Sequence, residues 1–178
     1  MDATRVRVWD AFVRVFHWAL VLCMGIAWAS AYNTDSPIHV SAGYLAGGLV
    51  LCRAIWGFVG TRYARFSQFV RSPRIVFGYL RDMAARRETR YLGHNPAGAA
   101  MILMLMLAVA ATCVTGIMLT TDPFWGVSWV QALHGFVAGS VLFLVTLHVG
   151  GVIIASLRHR ENLVRAMLNG RKRRLDSQ

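Results

Sequence analysis

Acidic residues and cysteines are scarce in this chain of 178 residues. It has 8 aspartates and glutamates against 19 lysines and arginines, and charged residues make up only 15% of the sequence. The cysteines, Cys23, Cys52 and Cys113, lie in apolar runs and share no C-x-x-C spacing. Neither a disulfide framework nor a haem attached covalently through a C-x-x-C-H motif is therefore indicated.

Long polar stretches are scarce as well. Hydrophobic residues make up 56% of the chain, and the mean hydropathy is +0.48. This composition is typical of an integral membrane protein. A hydrocarbon core about 30 Å thick needs roughly 20 apolar residues per helix. Four stretches qualify, namely 13–32, 39–59, 97–120 and 129–157. We predict an all-α, four-helix membrane bundle formed by a single domain over 1–178.

The first apolar run also resembles a secretory signal, because Ala27-Trp28-Ala29 has the small-x-small pattern of a cleavage site. The run is long, however, and contains Trp18 as well as Trp28. We expect it to be retained as the first span.

The basic residues are distributed unevenly among the loops. Eight of them lie between the second and third apolar runs, and seven lie in 158–174. The other two loops contain no basic residue, and their charged residues are Asp35 and Asp122. By the positive-inside rule, both termini and the long middle loop are predicted to be cytoplasmic. The net charge of +11 is thus interpreted as a topology signal, and nucleic-acid binding is not indicated.

The middle loop contains a short amphipathic pattern. Ser72 and Pro73 are typical of a helix start, and apolar residues then share one face, which predicts an interfacial helix over about 73–87. The tail has a similar pattern over 163–168, before Gly170, which predicts a second short helix there. We expect both segments to act mainly as solvated basic connectors against anionic lipid.

Four histidines occupy related positions in the predicted spans. His17 lies one turn into the first span, His39 opens the second, and His134 and His148 both lie in the fourth. Fourteen residues separate the last two, so they point in similar directions at depths about 21 Å apart. The four therefore form two predicted pairs, His17 with His148 on the inner side and His39 with His134 on the outer side.

A histidine inside a span usually faces the bundle interior and binds something. Two imidazoles on opposite helices of an apolar bundle suit a haem iron with bis-histidine axial ligation. Proton relays and metal paths can also use histidines, but those usually require carboxylates, and the four predicted spans contain none.

Glycines and arginines near these histidines are further candidates for cofactor binding. Gly43 and Gly47 follow His39 at one- and two-turn spacing, which leaves room beside the helix backbone or, equally, permits close helix packing. Arg53 lies fourteen residues after His39, and Arg14 lies one turn before His17. We predict that Arg53, with Arg14 as a possible second group, reaches the propionates of the inner haem, the alternative for Arg53 being a snorkelling contact with lipid phosphate.

Two further histidines are assigned other roles. His94 precedes Asn95-Pro96, which is typical of a helix start, so a capping or interfacial role is expected. His159 lies eleven residues after His148 on nearly the same face and remains a rival inner ligand.

Several motifs together resemble the bacterial cytochrome b561 family, which includes the b-type cytochrome subunits of nickel–iron hydrogenases. They are VFHWAL, PIHVSAGY, GHNPAG and LHGFVAGSVLFLVTLH. The resemblance implies a bundle with two b haems, held by His17, His39, His134 and His148, that exchanges electrons with quinone in the bacterial inner membrane. The chain lacks the longer loops of typical hydrogenase subunits and is closer to the short members.

Three functions follow from these observations. The first is respiratory electron transfer between the quinone pool and a periplasmic or membrane-bound redox partner. The second is a superoxide oxidase that passes electrons from superoxide to ubiquinone, although the outer loops lack the basic residues that would attract an anion. The third is a non-haem metal or proton carrier. No catalytic residue is identified.

Overall fold

Four long helices dominate the computed structural model, which describes residues 5–32 and 36–174. Each of the four is long and apolar enough to cross a membrane. In chain order, the elements are β1 (Arg5–Arg7), α1 (Ala11–Ala29), α2 (Pro37–Val59), α3 (Phe66–Phe69), α4 (Pro73–Ala84), α5 (Pro96–Leu119), a 3-10 turn (Asp122–Phe124), α6 (Ser128–Arg158), α7 (Leu163–Asn169) and β2 (Arg171–Arg173). The predicted all-α membrane class is confirmed for the long helices α1, α2, α5 and α6.

Local sequence explains where the long helices start. Proline occupies the first position of both α2 and α5, where its missing N–H costs nothing. The Asn95 side chain caps α5 by accepting a hydrogen bond from the Gly98 N–H at 2.7 Å. At 31 residues, α6 is about 46 Å long and exceeds the hydrocarbon core. Asp35, expected in an outer loop, lies outside the described residues.

The chain divides into two compact units. We call one the span unit, which contains Val15–Ala54 and Met104–Val145 apart from 33–35. The other is the loop unit, which contains the described residues up to Arg14, Ile55–Leu103 and those from Thr146 onward. The loop unit thus holds every short element except the 3-10 turn.

All four long helices contribute to the core of the span unit. Val50, Val109 and Val141 are buried together, and Leu20 and Met24 of α1 pack against them. Lipid tails are as apolar as these side chains, so close packing and not water exclusion holds the helices together.

In the loop unit, β1 and β2 form a two-stranded antiparallel sheet. Arg5 pairs with Arg173 and Arg7 pairs with Arg171. The all-α prediction missed this sheet, because each strand has only three residues and is mostly arginine. The pairing places the two described chain ends side by side.

Gly170 makes the sheet possible by ending α7 in the left-handed region at a φ of 77°. Its carbonyl accepts hydrogen bonds from the backbone N–H groups of Val8 and Trp9. A Cβ at this position would lie 2.5 Å from the Trp9 carbonyl oxygen. Only glycine therefore permits both the turn and the close approach of the N-terminal segment.

Asp10 joins the start of α1 to the end of α2. Its Oδ1 caps α1 by accepting from the Val13 N–H at 2.8 Å. Its Oδ2 accepts from the Trp56 indole N–H at 3.1 Å and from the Thr61 hydroxyl. The helix start thereby carries the negative charge that a helix N-terminus favours.

Glu161 binds three cationic residues of the loop and tail. Its Oε2 lies 2.9 Å from Arg90 and 3.9 Å from the Lys172 ammonium, while its Oε1 accepts from the Arg173 N–H at 2.6 Å. Burial raises the pKa of Glu161, but these neighbours outweigh it and hold that pKa below its ordinary value. Lys172 is only 7% exposed and donates to the Tyr91 carbonyl, and burial lowers its pKa.

Other contacts join basic residues of the loop and tail to the rest of the loop unit. Lys172 is buried, and Arg158 donates both to the Met83 carbonyl and to Glu88. The Arg158 contact lowers the pKa of Glu88. Several of the basic residues therefore stabilise the loop unit itself, in addition to setting the charge of its surface.

The amphipathic helix α4 begins at Pro73 as predicted but ends at Ala84 and not at 87. Shortly after it, Arg86 adopts a left-handed φ of 55°, which a helix cannot continue. Tyr79 is buried against Tyr91, and this burial together with Glu88 raises the pKa of Tyr79 to about 12. Exposed apolar residues remain on α4, as expected of an interfacial helix.

Candidate functional site

The structure brings His39 of α2 and His134 of α6 together within the span unit. Their ring centres lie 6.3 Å apart, with an angle of 77° between the ring planes. Both side chains are partly buried. These are the two histidines of the predicted outer pair.

A backbone carbonyl fixes the protonation of His39. Its Nδ1 lies 3.0 Å from the Ala27 carbonyl oxygen at the end of α1. A carbonyl can only accept a hydrogen bond, so Nδ1 carries the proton and the lone pair of the neutral ring is on Nε2.

Thr115 fixes the protonation of His134 in the same way. Its hydroxyl, which has one proton, donates to the carbonyl oxygens of Ala111 and Thr112 at 2.9 and 3.0 Å. The same oxygen lies 3.0 Å from the Nδ1 of His134, and with its proton directed at these carbonyls it acts there as the acceptor. The Nε2 of His134 therefore also carries a lone pair.

These features fit a bis-histidine metal centre. A metal–imidazole bond is about 2 Å long, so two such bonds, with about 1 Å from each nitrogen to its ring centre, separate the ring centres by about 6 Å. Histidine ligands typically donate their second ring N–H to a carbonyl or a similar acceptor, which fixes the tautomer. A porphyrin supplies the other four nitrogens, so two axial imidazoles complete the coordination of a haem iron.

Small residues make room beside both histidines. A Cβ on Gly116 of α5 would lie 3.2 Å from the Cε1 of His134, so this glycine allows the ring its position. A Cβ on Gly43 would find no heavy atom within 4 Å among the described residues. Gly47 differs, because a Cβ there would lie 3.4 Å from the Cβ of Cys113. Gly47 therefore serves the close packing of α2 on α5.

Sequence reasoning did not identify Thr115 and Gly116. The available signal was a hydroxyl residue next to a glycine in the middle of the apolar run of α5. Such pairs also occur in ordinary helix packing, so only the contact with His134 separates the two roles.

The inner histidines lie in different units. His17 is in the span unit, where its ring meets the Trp18 ring edge-to-face at 5.0 Å. His148 is in the loop unit and partly buried. Their pairing stays a prediction.

The two predicted arginines differ in their surroundings. Arg53 is only 3% exposed, although it lies within the apolar helix α2. Arg14 is engaged elsewhere, because its guanidinium donates to the Asp10 and Leu168 carbonyls and thereby holds the end of α7. A contact between either arginine and a haem propionate stays a prediction.

His94 and His159 both lie in the loop unit. His94 packs between Trp9 and Phe69, with ring-centre distances of 4.5 and 4.8 Å. His159 follows the end of α6 and lines a surface cavity together with Arg158 and Glu88. Its role as a rival inner ligand stays a prediction.

We predict that Thr115→Val weakens haem binding at the outer pair about 10- to 100-fold, the usual effect of losing the partner that orients a metal-binding histidine. The matched control is Thr112→Val, since the Thr112 hydroxyl donates to the Ala108 carbonyl in the same helix. Haem titration of the two purified variants checks this. Equal haem affinities in the two variants would contradict the role of Thr115.

Comparison with known proteins gives one family and several relatives. The family model described as prokaryotic cytochrome b561 matches residues 8–170. The chain is 24% identical to a probable Ni/Fe-hydrogenase B-type cytochrome subunit of Rhizobium leguminosarum bv. viciae, over 97% of this chain and 90% of the relative. It is 25% identical to the protein of the same name from Rhodobacter capsulatus, over 95% and 82%.

A further relative is the probable Ni/Fe-hydrogenase 1 B-type cytochrome subunit of Escherichia coli (strain K12). It is 29% identical, over 65% of this chain and 60% of the relative. No solved structure shows significant similarity to the chain.

Proposed function

Because this chain belongs to the prokaryotic cytochrome b561 family, we propose that it is a di-haem b-type cytochrome that transfers electrons between the quinone pool and a redox partner. The observation that carries this proposal is the geometry of His39 and His134. Their ring centres lie 6.3 Å apart, which would let both imidazoles hold one iron, and both Nδ1 atoms are hydrogen-bonded. A b haem bound there supplies one-electron chemistry.

The residues of the outer site hold and orient the ligands. The Ala27 carbonyl and the Thr115 hydroxyl hold the Nδ1 protons in place, so the Nε2 atoms are the ones that would bind a metal. Hydrogen bonds of this kind raise the basicity of a ligating imidazole. Gly116 permits the ring position of His134, and Gly43 leaves space beside His39.

A second haem held by His17 and His148 completes the proposal. Support comes from Arg53, the one charged residue of α2, whose side chain is almost fully buried. A guanidinium binds a carboxylate such as a haem propionate through charge-assisted hydrogen bonds. Burial also argues against the alternative in which Arg53 reaches out to lipid phosphate, since a snorkelling head group stays exposed.

The proposed location is the bacterial inner membrane, with both termini in the cytoplasm. The distribution of basic residues supports this orientation. The pairing of β1 with β2 supports it as well, because it places both described chain ends on one side.

The names of the relatives suggest the class of redox partner. They are hydrogenase cytochrome subunits, and they align with nearly the whole chain despite its short loops. We propose a nickel–iron hydrogenase or a similar membrane-associated redox enzyme as the partner, with quinone as the second reactant.

Spectroscopy of the purified protein tests this function. A reduced-minus-oxidised spectrum should show b-type bands, haem quantification should give two haems per chain, and added quinol should reduce them. Absence of b-type bands would contradict the proposal. Superoxide is tested in the same preparation, because rapid superoxide-driven reduction of ubiquinone would instead assign the oxidase activity.

A further inference from the structure

A cavity of about 300 Å³ lies in the loop unit, where α2 has ended and α5 begins. It is separate from the histidine pair, which lies in the span unit. Its walls come from the loop after α2, from α3 and from the segment before α5. They are Arg62, Tyr63, Gln68, Phe69, Arg71, Tyr91, Leu92, Gly93, His94 and Pro96.

The charge of this cavity is positive. Among the described residues that line it, two are arginines and none is acidic. The Arg62 guanidinium lies 5.9 Å from the centre of the Tyr63 ring, a cation–π contact that orients it. Arg71 donates to the Gln68 carbonyl at 3.1 Å, which uses one of its five N–H donors.

The first turn of α5 adds to this positive charge. Pro96 begins the helix and lines the cavity. The N-terminus of a 24-residue helix carries the positive end of its dipole, which favours an anion nearby. The two guanidinium groups and this helix start thus all favour the binding of an anion.

The rest of the cavity wall is aromatic and apolar. Tyr63, Phe69, Tyr91 and Leu92 line it, and the cavity lies beside the end of α2 and the start of α5, two of the helices apolar and long enough to cross a membrane. A ligand here therefore meets cations and apolar surface together. An anionic phospholipid offers this combination, a phosphate diester joined to glycerol and acyl chains.

We propose that this cavity binds the phosphate head group of an anionic membrane phospholipid, with Arg62 and Arg71 as the phosphate-binding residues. Guanidinium groups bind phosphate oxygens through two parallel hydrogen bonds. The bound lipid would connect α3 to the start of α5, and binding does not depend on electron transfer.

Native mass spectrometry of the full chain with phosphatidylglycerol tests this proposal. Arg62→Gln combined with Arg71→Gln should weaken phosphatidylglycerol binding at least tenfold, given about fivefold for each arginine near a membrane phosphate. The matched control is Arg74→Gln with Arg81→Gln. Both arginines are exposed residues of α4, and replacing them changes the net charge by the same amount. The control should change binding less than twofold. The lysine versions, Arg62→Lys with Arg71→Lys, should bind phosphatidylglycerol more tightly than the glutamine versions but more weakly than the native chain, because they keep the charge and lose the paired hydrogen bonds.

Three outcomes would overturn the proposal. If the cavity variant and the α4 variant lose the same phosphatidylglycerol affinity, the loss comes from the general surface charge and not from the cavity. Equal binding of phosphatidylcholine and phosphatidylglycerol would show that the site does not select an anionic head group. Displacement of the lipid by millimolar inorganic phosphate would make the ligand a free phosphate. Unchanged haem content and thermal unfolding in all variants serve as the check of folding.

Discussion

Replacing His134 with alanine should lower the haem content from two per chain to one and halve the b-type absorbance. The reason is that the proposed outer haem would keep only His39 of its two histidine ligands. His148→Ala should remove the other haem and leave the outer one. Haem-to-protein ratios and the difference spectra of both variants provide the measurement.

His159→Ala is the control for this pair of variants. It should keep both haems, because His159 lies beyond the end of α6 at a surface cavity. If His159→Ala loses a haem while His148→Ala keeps both, the inner ligand is His159. If His134→Ala keeps two haems with unchanged spectra, the outer site is assigned wrongly.

Glu161→Gln should lower the free energy of unfolding of the β1–β2 sheet, and of its contact with the loop around Arg90, by about 3 kcal/mol. This is the lower end of the range of losses expected when one partner of a buried ion pair is removed. The cause is the environment that remains, since Arg90 and Lys172 are 16% and 7% exposed and would lose their common counter-charge. Because about 1.4 kcal/mol corresponds to a factor of ten, amide hydrogen exchange in β1 and β2 should accelerate about 100-fold.

The control is Glu88→Gln, which breaks the ion pair with Arg158. That arginine is 32% exposed, so solvent screens the pair and we expect less than 1 kcal/mol. Similar exchange rates in both variants would contradict the central role of Glu161.

The same carboxylate makes the sheet sensitive to acid. Its pKa is lowered in the folded protein, so its stabilising contribution is complete above the ordinary carboxyl pKa of about 4.3. The contribution is lost as the pH falls through the lower folded-state pKa. Glu161→Gln should remove this part of the pH dependence of hydrogen exchange.

Sequence reasoning succeeded where a pattern is local and strong. Long apolar runs predicted all four spanning helices, and Pro73 predicted the start of α4. The end of α4 was placed too late, because its last turn is broken by the backbone conformation of Arg86. The β1–β2 sheet could not be predicted, because it joins two three-residue segments from opposite ends of the chain.

The candidate site shows the same division. The spacing of the histidines predicted that His39 and His134 share a level, and the structure places their rings 6.3 Å apart. The groups that orient these rings, the Ala27 carbonyl and the Thr115 hydroxyl, come from α1 and α5. No periodicity within α2 or α6 contains that information.

By itself, the sequence determined the number of long apolar helices, the uneven distribution of basic residues among the loops and the spacing of the histidines along the helices. These properties depend on hydropathy and on the 3.6-residue repeat, which act along a single segment. Only the tertiary structure decided which ring nitrogens remain available, that Arg14 holds the end of α7, and that Glu161 gathers three cationic residues. Each of these depends on atoms from distant segments that meet only when the helices pack.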